Sequence, residues 1–488
     1  MRYYRKKEIL LELTAIKNMH MRLYERAETY IDILCAIQEK AILIGQEIER
    51  ENTQISCEAV RNLEEYCECI YKMSLENPIT PDDIRNADEL IKDISQLVEK
   101  LITDKVRVAF FPYKASMWDS MESIWKAAQQ DKNCETEVIP VPFYERNDGE
   151  NNAVECYEGD LFPDYVNITH YSEYNLKKDH PDISYIHNPY DEYNKVTMVH
   201  PYFFSDQIRK NSYKLVYVPY YIAGVYSDEN KIYEMSELPG FFNATNVVVQ
   251  SEKYRNIMVS RGIEDAKLIV AGSPKFDAIQ FDYEPEMQKK MKDKYSKGKI
   301  FLFNTSISEL LNNKKWFETV YEIMNVFNKH KEDCLIWRPH PLLLATINTM
   351  RTSEKIRYTS IKNEMQKMEN VYIDESVNPI EVMKISDAMI SNYSSLVPQY
   401  YVTGKPILCL NGKREYRNRY ICVFDHYDSY FYKDGITVND FVNMVESGED
   451  PTLTARLKYI KDMGFDKNAG ESVHRIMMKK LEEIQHGL

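Results

Sequence analysis

What the sequence lacks narrows the field first. No apolar run approaches the ~18 to 20 residues that span a bilayer, and the opening Met-Arg-Tyr-Tyr-Arg-Lys-Lys leads into a charged helix instead of a signal-peptide core. Basic residues are outnumbered: 62 Lys and Arg against 76 Asp and Glu leave a net charge of −14. That balance speaks against nucleic acid as a partner, because such affinity is built on phosphate neutralisation. There is no Walker lysine loop, no Gly-x-Gly-x-x-Gly after a strand, no Gly-x-Ser-x-Gly and no His-Glu-x-x-His. The usual ATPase, dehydrogenase, serine hydrolase and zincin readings fall with them. Metal ligands at readable spacing are missing as well, so no metal is expected. The nine cysteines are odd in number and scattered, which fits reduced thiols without a disulfide framework. The expectation is a cytoplasmic protein.

What is present is enough to fold. The 488 residues are 44% hydrophobic, and at ~150 residues per domain they suggest about three domains. The 37 tyrosines suit surfaces that bind sugars or polyols, and suit ordinary β-rich packing equally well. From Ile9 to Ile48, Ile9, Leu13, Ile16, His20, Leu23, Ala27, Tyr30, Leu34, Ile37, Ala41, Ile44 and Ile48 alternate spacings of four and three. That heptad seam favours a long helix lying along a partner helix, either within an intramolecular bundle or as the arm of a homo-oligomer. Cys57 to Met73 and Asp82 to Leu101 read as two further helices, the latter opened by Thr80-Pro81-Asp82-Asp83.

At Lys105 the pattern changes to alternating strands and helices. Val106–Pro112, Thr136–Phe143, Lys214–Pro219, Asn246–Val249 and Leu268–Gly272 read as strands, with helices at Trp118–Gln129 and Ser251–Arg261. A second series follows: Lys299–Phe303, Cys334–Trp337, Val371–Ile373, Ala388–Ser391 and Pro406–Leu410, with helices around Trp316–Asn328 and Pro379–Ser386. Strand, helix, strand at this spacing implies parallel sheets with right-handed crossovers. The expected architecture is α/β: a helical region over 1–104, a Rossmann-like acceptor-side domain over 105–285, and a Rossmann-like donor-side domain with C-terminal helices over 286–488.

Open α/β sheets bind ligands at their strand C-terminal ends, and the motif-bearing turns fall there. Gly272-Ser273-Pro274-Lys275, Asn304-Thr305-Ser306, Arg338-Pro339-His340-Pro341 and Asn392-Tyr393-Ser394-Ser395 each follow a strand. Small hydroxyls, a glycine, a guanidinium and an imidazole together suit a phosphate. Each turn alone is more often structural: serines cap helices, and Gly-Ser-Pro is a common turn. Their joint placement favours a site.

These residues resemble the CDP-glycerol glycerophosphotransferase family, teichoic-acid-type polymerases and primases of GT-B fold. The resemblance covers roughly Val106 to Leu410 and is strongest over Asn243 to Asp277 and from Arg338 through Asn392-Tyr393-Ser394-Ser395 to Gly404-Lys405-Pro406. It implies a transferase that moves an alditol phosphate, glycerol phosphate from CDP-glycerol above all, onto a hydroxyl acceptor in cell-surface polymer synthesis, releasing CMP. The nucleotide diphosphate is then the donor substrate and no further cofactor is needed. The acceptor is a polyol or glycan, free or lipid-linked, which allows peripheral contact with the inner face of the membrane. The carry-over assigns Arg338, His340, Ser394 and Ser395 to the donor phosphates. Three departures stand out: Val218-Pro219-Tyr220-Tyr221 replaces the family's His-Gly-Thr-Pro, Asn392 replaces an aspartate, and Gln399 replaces a second acid. The base is therefore sought among His187, Asp191 and His200, with His340 as a further catalytic candidate. A nucleotide-sugar glycosyltransferase and a non-catalytic assembly protein with a degenerate site are the alternatives.

Overall fold

The computed structural model describes residues 1–24, 30–75, 79–101, 105–146, 153–194, 197–222, 225–226, 235–280, 291, 293–295, 297–340, 343–376, 379–392, 394, 396–410, 421–422, 429–431, 435–465 and 468–482. Helices α1 (Tyr3–Tyr24), α2 (Tyr30–Glu49), α3 (Gln54–Leu75) and α4 (Pro81–Lys100) come first. Their apolar stripes meet in one core, where Ile16, Ile37, Ala59, Ile94 and Val98 are fully buried. The heptad seam, expected along one long helix, is a hairpin instead. Glu12 of α1 pairs with Lys40 of α2, and Arg5 lies 3.9 Å from Glu47. The seam's apolar face is buried inside this chain's own bundle, as in the intramolecular alternative; Ala27 falls outside the described residues. His20 is tolerated in that core because both ring nitrogens are engaged, Nδ1 2.7 Å from Asp88 Oδ1 and Nε2 2.6 Å from the Tyr66 hydroxyl. At the head of α4, Thr80 and Asp83 form a reciprocal capping box with Pro81 in the first turn.

The rest of the chain is built on two parallel sheets. Its strands are β1 (Val106–Phe111), β2 (Cys134–Val138), β3 (Phe143–Arg146), β4 (Ala153–Cys156), β5 (Ile183–Ile186), β6 (Thr197–Val199), β7 (Lys214–Tyr217), β8 (Val225–Tyr226), β9 (Asn246–Val249) and β10 (Leu268–Val270). They continue with β11 (Ile300–Thr305), β12 (Cys334–Pro339), β13 (Val371–Ile373), β14 (Ala388–Ser391), β15 (Ile407–Cys409), β16 (Ile421–Cys422) and β17 (Tyr430–Phe431). The first sheet runs β10-β9-β7-β5-β1-β2 and the second β13-β12-β11-β14-β15-β17. Central strands such as β11 are buried along their whole length, as expected of a parallel sheet covered by helices on both faces. A small antiparallel sheet, β4-β3-β6, and the short pair β8–β16 complete the β-structure among the described residues.

The chain ends by crossing back. Helix Ala469–Glu482 follows the second sheet in sequence, yet Val473, Met477 and Leu481 are buried in the core of the first. Asp277 fixes its start, its two carboxylate oxygens accepting the N–H groups of Ala469 (2.9 Å) and Gly470 (2.7 Å). The helical bundle docks on the first sheet through Asp182, which accepts from the N–H groups of Tyr4 and Arg107. No helix among the described residues is long and apolar enough to cross a membrane.

Candidate functional site

The second sheet gathers its motif residues by register. Asn304 lies opposite Arg338 on one side and Ser391 on the other, so the C-terminal ends of β12, β11 and β14 stand side by side. Asn304 Nδ2 donates to Ser391 Oγ and to Ser394 Oγ, each at 3.0 Å. Ser394 Oγ also accepts the Leu396 N–H at 3.3 Å, opening helix Leu396–Tyr401. His340 donates its backbone N–H to the Thr305 carbonyl at 3.2 Å, which seats it over the end of β11 with an exposed side chain. Partial desolvation, then the Arg338 charge, lower its pKa below the ordinary imidazole value and keep the ring neutral. Asn392 is buried beside this group, whereas Tyr393, Ser395 and Pro341 lie outside the described residues.

Several residues expected at the phosphates are committed elsewhere. Arg338 is buried and ion-paired with Asp374, and it also donates to Ser376 Oγ (3.1 Å) and to the Ser376 carbonyl (2.8 Å). Its fork is thus not open to a ligand; it orients the turn and biases His340. Thr305 Oγ1 accepts from the Trp337 indole at 3.4 Å, and Ser306 caps helix Ile307–Asn312. Gly272 has φ +87°, a left-handed conformation that side chains rarely adopt, so this glycine serves the turn after β10. Ser273 and Pro274 are buried at the same turn, beside Pro219, Tyr221 and Gln250.

Lys275 leads to a residue that sequence reading missed. Its Nζ lies 2.6 and 2.5 Å from the two carboxylate oxygens of Asp119, both side chains being almost buried. Gln399, from the second sheet's helix Leu396–Tyr401, reaches the same carboxylate at 3.4 Å. Asp119 therefore ties the turns after β1, β10 and β14 together. Its one sequence signal was position: it sits in the first turn after β1, where open α/β sheets bind ligands.

The histidines and the aspartate expected as bases are each engaged by hydrogen bonds within the fold. His187 is fully buried at the end of β5; Nε2 accepts the Tyr113 N–H (3.1 Å) and Nδ1 faces Ser120 Oγ (3.1 Å). Burial pushes its pKa down to about 3, so it stays neutral with its lone pair occupied. Asp191, at φ +47°, accepts from the Ser205 N–H and from Ser205 Oγ (2.6 Å), a loop-fixing role. Burial raises its pKa to about 6. His200 Nδ1 accepts the Tyr202 N–H at 3.2 Å, which leaves its hydrogen on Nε2 as a donor.

Two six-stranded parallel sheets, with motif-bearing turns at the strand C-terminal ends and turns of both meeting at Asp119, define an α/β fold of GT-B type. Residues 227–479, just over half of the chain, match the family CDP-Glycerol:Poly(glycerophosphate) glycerophosphotransferase, and the protein belongs to that family. Among solved structures, two of the wall teichoic acid polymerase TagF align with a TM-score of 0.50 at 11% identity. One alignment covers 87% of this chain and 99% of the other, the second 88% and 98%. A putative UDP-N-acetylglucosamine 2-epimerase from Listeria monocytogenes aligns at TM-score 0.49 and 11% identity over 79% of this chain and 98% of its own. No curated protein matches the chain.

Proposed function

We propose that the protein transfers glycerol phosphate from CDP-glycerol to a hydroxyl acceptor, releasing CMP, during synthesis of a teichoic-acid-type polymer. The observation that carries this reading is that the family match spans the strand ends at Asn304, His340 and Ser394, which converge on one edge of the second sheet. In the reaction the acceptor oxygen bonds to the phosphorus bearing glycerol, the bond from that phosphorus to the bridging oxygen breaks, and the electron pair leaves on CMP. Neutral His340 and the hydroxyl of Ser394 donate to the diphosphate as charge shifts onto it, and Arg338, held by Asp374, positions His340. Phosphoryl transfer through a loose transition state makes little demand on a base. The acceptor's proton is accordingly released late, to solvent, which is consistent with the engaged lone pairs of His187, Asp191 and His200. The acceptor approaches from the first sheet, where Tyr113, His187 and Tyr220 cluster at the ends of β1, β5 and β7.

Thermal unfolding with CDP-glycerol, CDP-ribitol, CMP and UDP- and GDP-sugars tests the donor, since a ligand at 100 times its Kd stabilises by ~2.7 kcal/mol. Stabilisation by CDP-glycerol together with CMP release upon acceptor addition is expected. A response to UDP- or GDP-sugars alone would replace this reading with transfer at a sugar carbon, and no response to any nucleotide would leave a non-catalytic assembly protein.

A further inference from the structure

Three side chains that the reaction does not use meet at the opposite, N-terminal edge of the second sheet. His330 follows helix Trp316–Lys329, Asp333 immediately precedes β12, and Glu446 lies near the end of helix Val438–Ser447. One nitrogen and two carboxylate oxygens from them lie within 4.8 Å of one another. His330 Nδ1 is 2.8 Å from Glu446 Oε1 and 3.8 Å from Asp333 Oδ2.

Two details separate this group from an ordinary surface ion pair. Asp333 is 1% exposed; its Oδ1 accepts the Lys299 N–H at 2.7 Å, while its buried Oδ2 accepts no hydrogen bond and faces the cluster. A buried carboxylate oxygen left unpaired is costly. On the other side of the ring, His330 Nε2 lies 3.2 Å from Asn439 Oδ1, an acceptor, so Nε2 carries the hydrogen of the neutral ring. Nδ1 then faces two carboxylates, an arrangement that calls for positive charge at that point, supplied by a proton on Nδ1 or by a cation held between the three groups. Metal-binding histidines are commonly oriented in this way, the distal N–H donating to a neighbouring acceptor. Bonds of about 2.1 Å in a tetrahedral site place ligand atoms about 3.4 Å apart, between the two separations from Nδ1.

We propose that His330 Nδ1, Asp333 Oδ2 and Glu446 bind a divalent cation of the zinc class, with water completing the shell on the exposed Glu446 side. The ion would pin helix Val438–Ser447 to the sheet edge opposite the cleft, a structural role independent of the transfer reaction. Nitrogen with two carboxylates suits Zn2+ better than Mg2+ or Ca2+, which prefer all-oxygen shells.

The test uses the full chain after chelation, titrated with Zn2+ by calorimetry and followed by thermal unfolding, with Co2+ as a spectroscopic probe. Expected are one Zn2+ per chain, a higher Tm on binding, and Co2+ visible bands without a thiolate charge-transfer band. Glu446→Gln, on the exposed rim, should abolish the titration while the chain stays folded by circular dichroism, and Asn439→Ala should weaken it by about 10- to 100-fold. A second cluster, Asp131, Cys134 and His474, provides the contrast. No Zn2+ binding to the full chain, binding that survives Glu446→Gln, or a thiolate band that disappears in Cys134→Ser would each overturn the proposal. In the first case the cluster is held together by a proton on His330.

Discussion

At the scale of single residues, the distinction that matters is between side chains aimed at a ligand and side chains already spent on the fold. The proposed reaction assigns His340 to the first kind. It is exposed at the end of β12 and supports no described core, so His340→Ala should cut CMP release by two orders of magnitude or more, ~3 kcal/mol of transition-state stabilisation, with Tm unchanged. Transfer at the wild-type rate would remove it from the site. His187 belongs to the second kind, and pH exposes it. Its folded-state pKa of about 3 lies below the ordinary histidine value, so between about 6.5 and 3 the unfolded chain takes up a proton that the folded chain refuses. Stability from this residue is full above pH 6.5 and is lost as pH falls through that window. His187→Gln, which keeps an acceptor for the Tyr113 N–H, should flatten the acid limb of a Tm-versus-pH curve. An equally steep limb would mean that His187 is already protonated in the fold.

At the scale of elements, the sequence was readable where burial and periodicity agree. The strands Val106–Phe111, Lys214–Tyr217, Asn246–Val249 and Ala388–Ser391 each hold an unbroken apolar stretch, Val108–Phe111, Leu215–Tyr217, Val247–Val249 and Ala388–Ile390, and α4 is announced by its capping box. β5 was not foreseen, because Ser184 interrupts its apolar run; in the fold Ser184 is matched by a buried Ser212 hydroxyl at 2.6 Å, a contact across 28 residues that no local pattern reveals. The hairpin of α1 and α2 was hidden for the converse reason: a continuous seam looks the same whether it lies along one helix or folds back on itself. The candidate site was legible as a set of turns, but not in its wiring. Lys275 and Arg338 are cations in sequence and neutralised pairs in space, and the carboxylates that neutralise them, Asp119 and Asp374, lie 156 and 36 residues away. Asp277 shows how such wiring holds an element. Asp277→Ala removes both acceptors from the start of helix Ala469–Glu482, and losing a cap of this kind costs about 0.5–2 kcal/mol. Lower Tm with early proteolysis of the C-terminal helix is the expected result; a Tm equal to wild type would show that packing of Val473, Met477 and Leu481 alone seats the helix.

At the scale of the whole molecule, Asp119 is where the two sheets' turns touch, and it reverses an expectation drawn from the family. With an acid standard at the position of Gln399, Gln399→Asp would be expected to restore donor binding. Here, however, the Gln399 amide donates to Asp119 at 3.4 Å. Aspartate is one methylene shorter than glutamine, so its carboxylate faces the like charge from about 5 Å, a repulsion of up to ~3 kcal/mol at the effective dielectric of a partly buried site, reduced by Lys275 beside Asp119. Gln399→Asp should therefore lower Tm and weaken CDP-glycerol binding at neutral pH, and both losses should shrink as pH falls and one of the two acids takes a proton. Asp119→Asn in the same chain removes the repulsion, so the double variant should recover donor affinity relative to Gln399→Asp alone, a coupling that a double-mutant cycle reads directly. Additive losses, with no recovery in the double variant, would mean that Gln399 and Asp119 do not meet when donor is bound, and that the second sheet's helix Leu396–Tyr401 moves away from the first sheet on closing over the nucleotide.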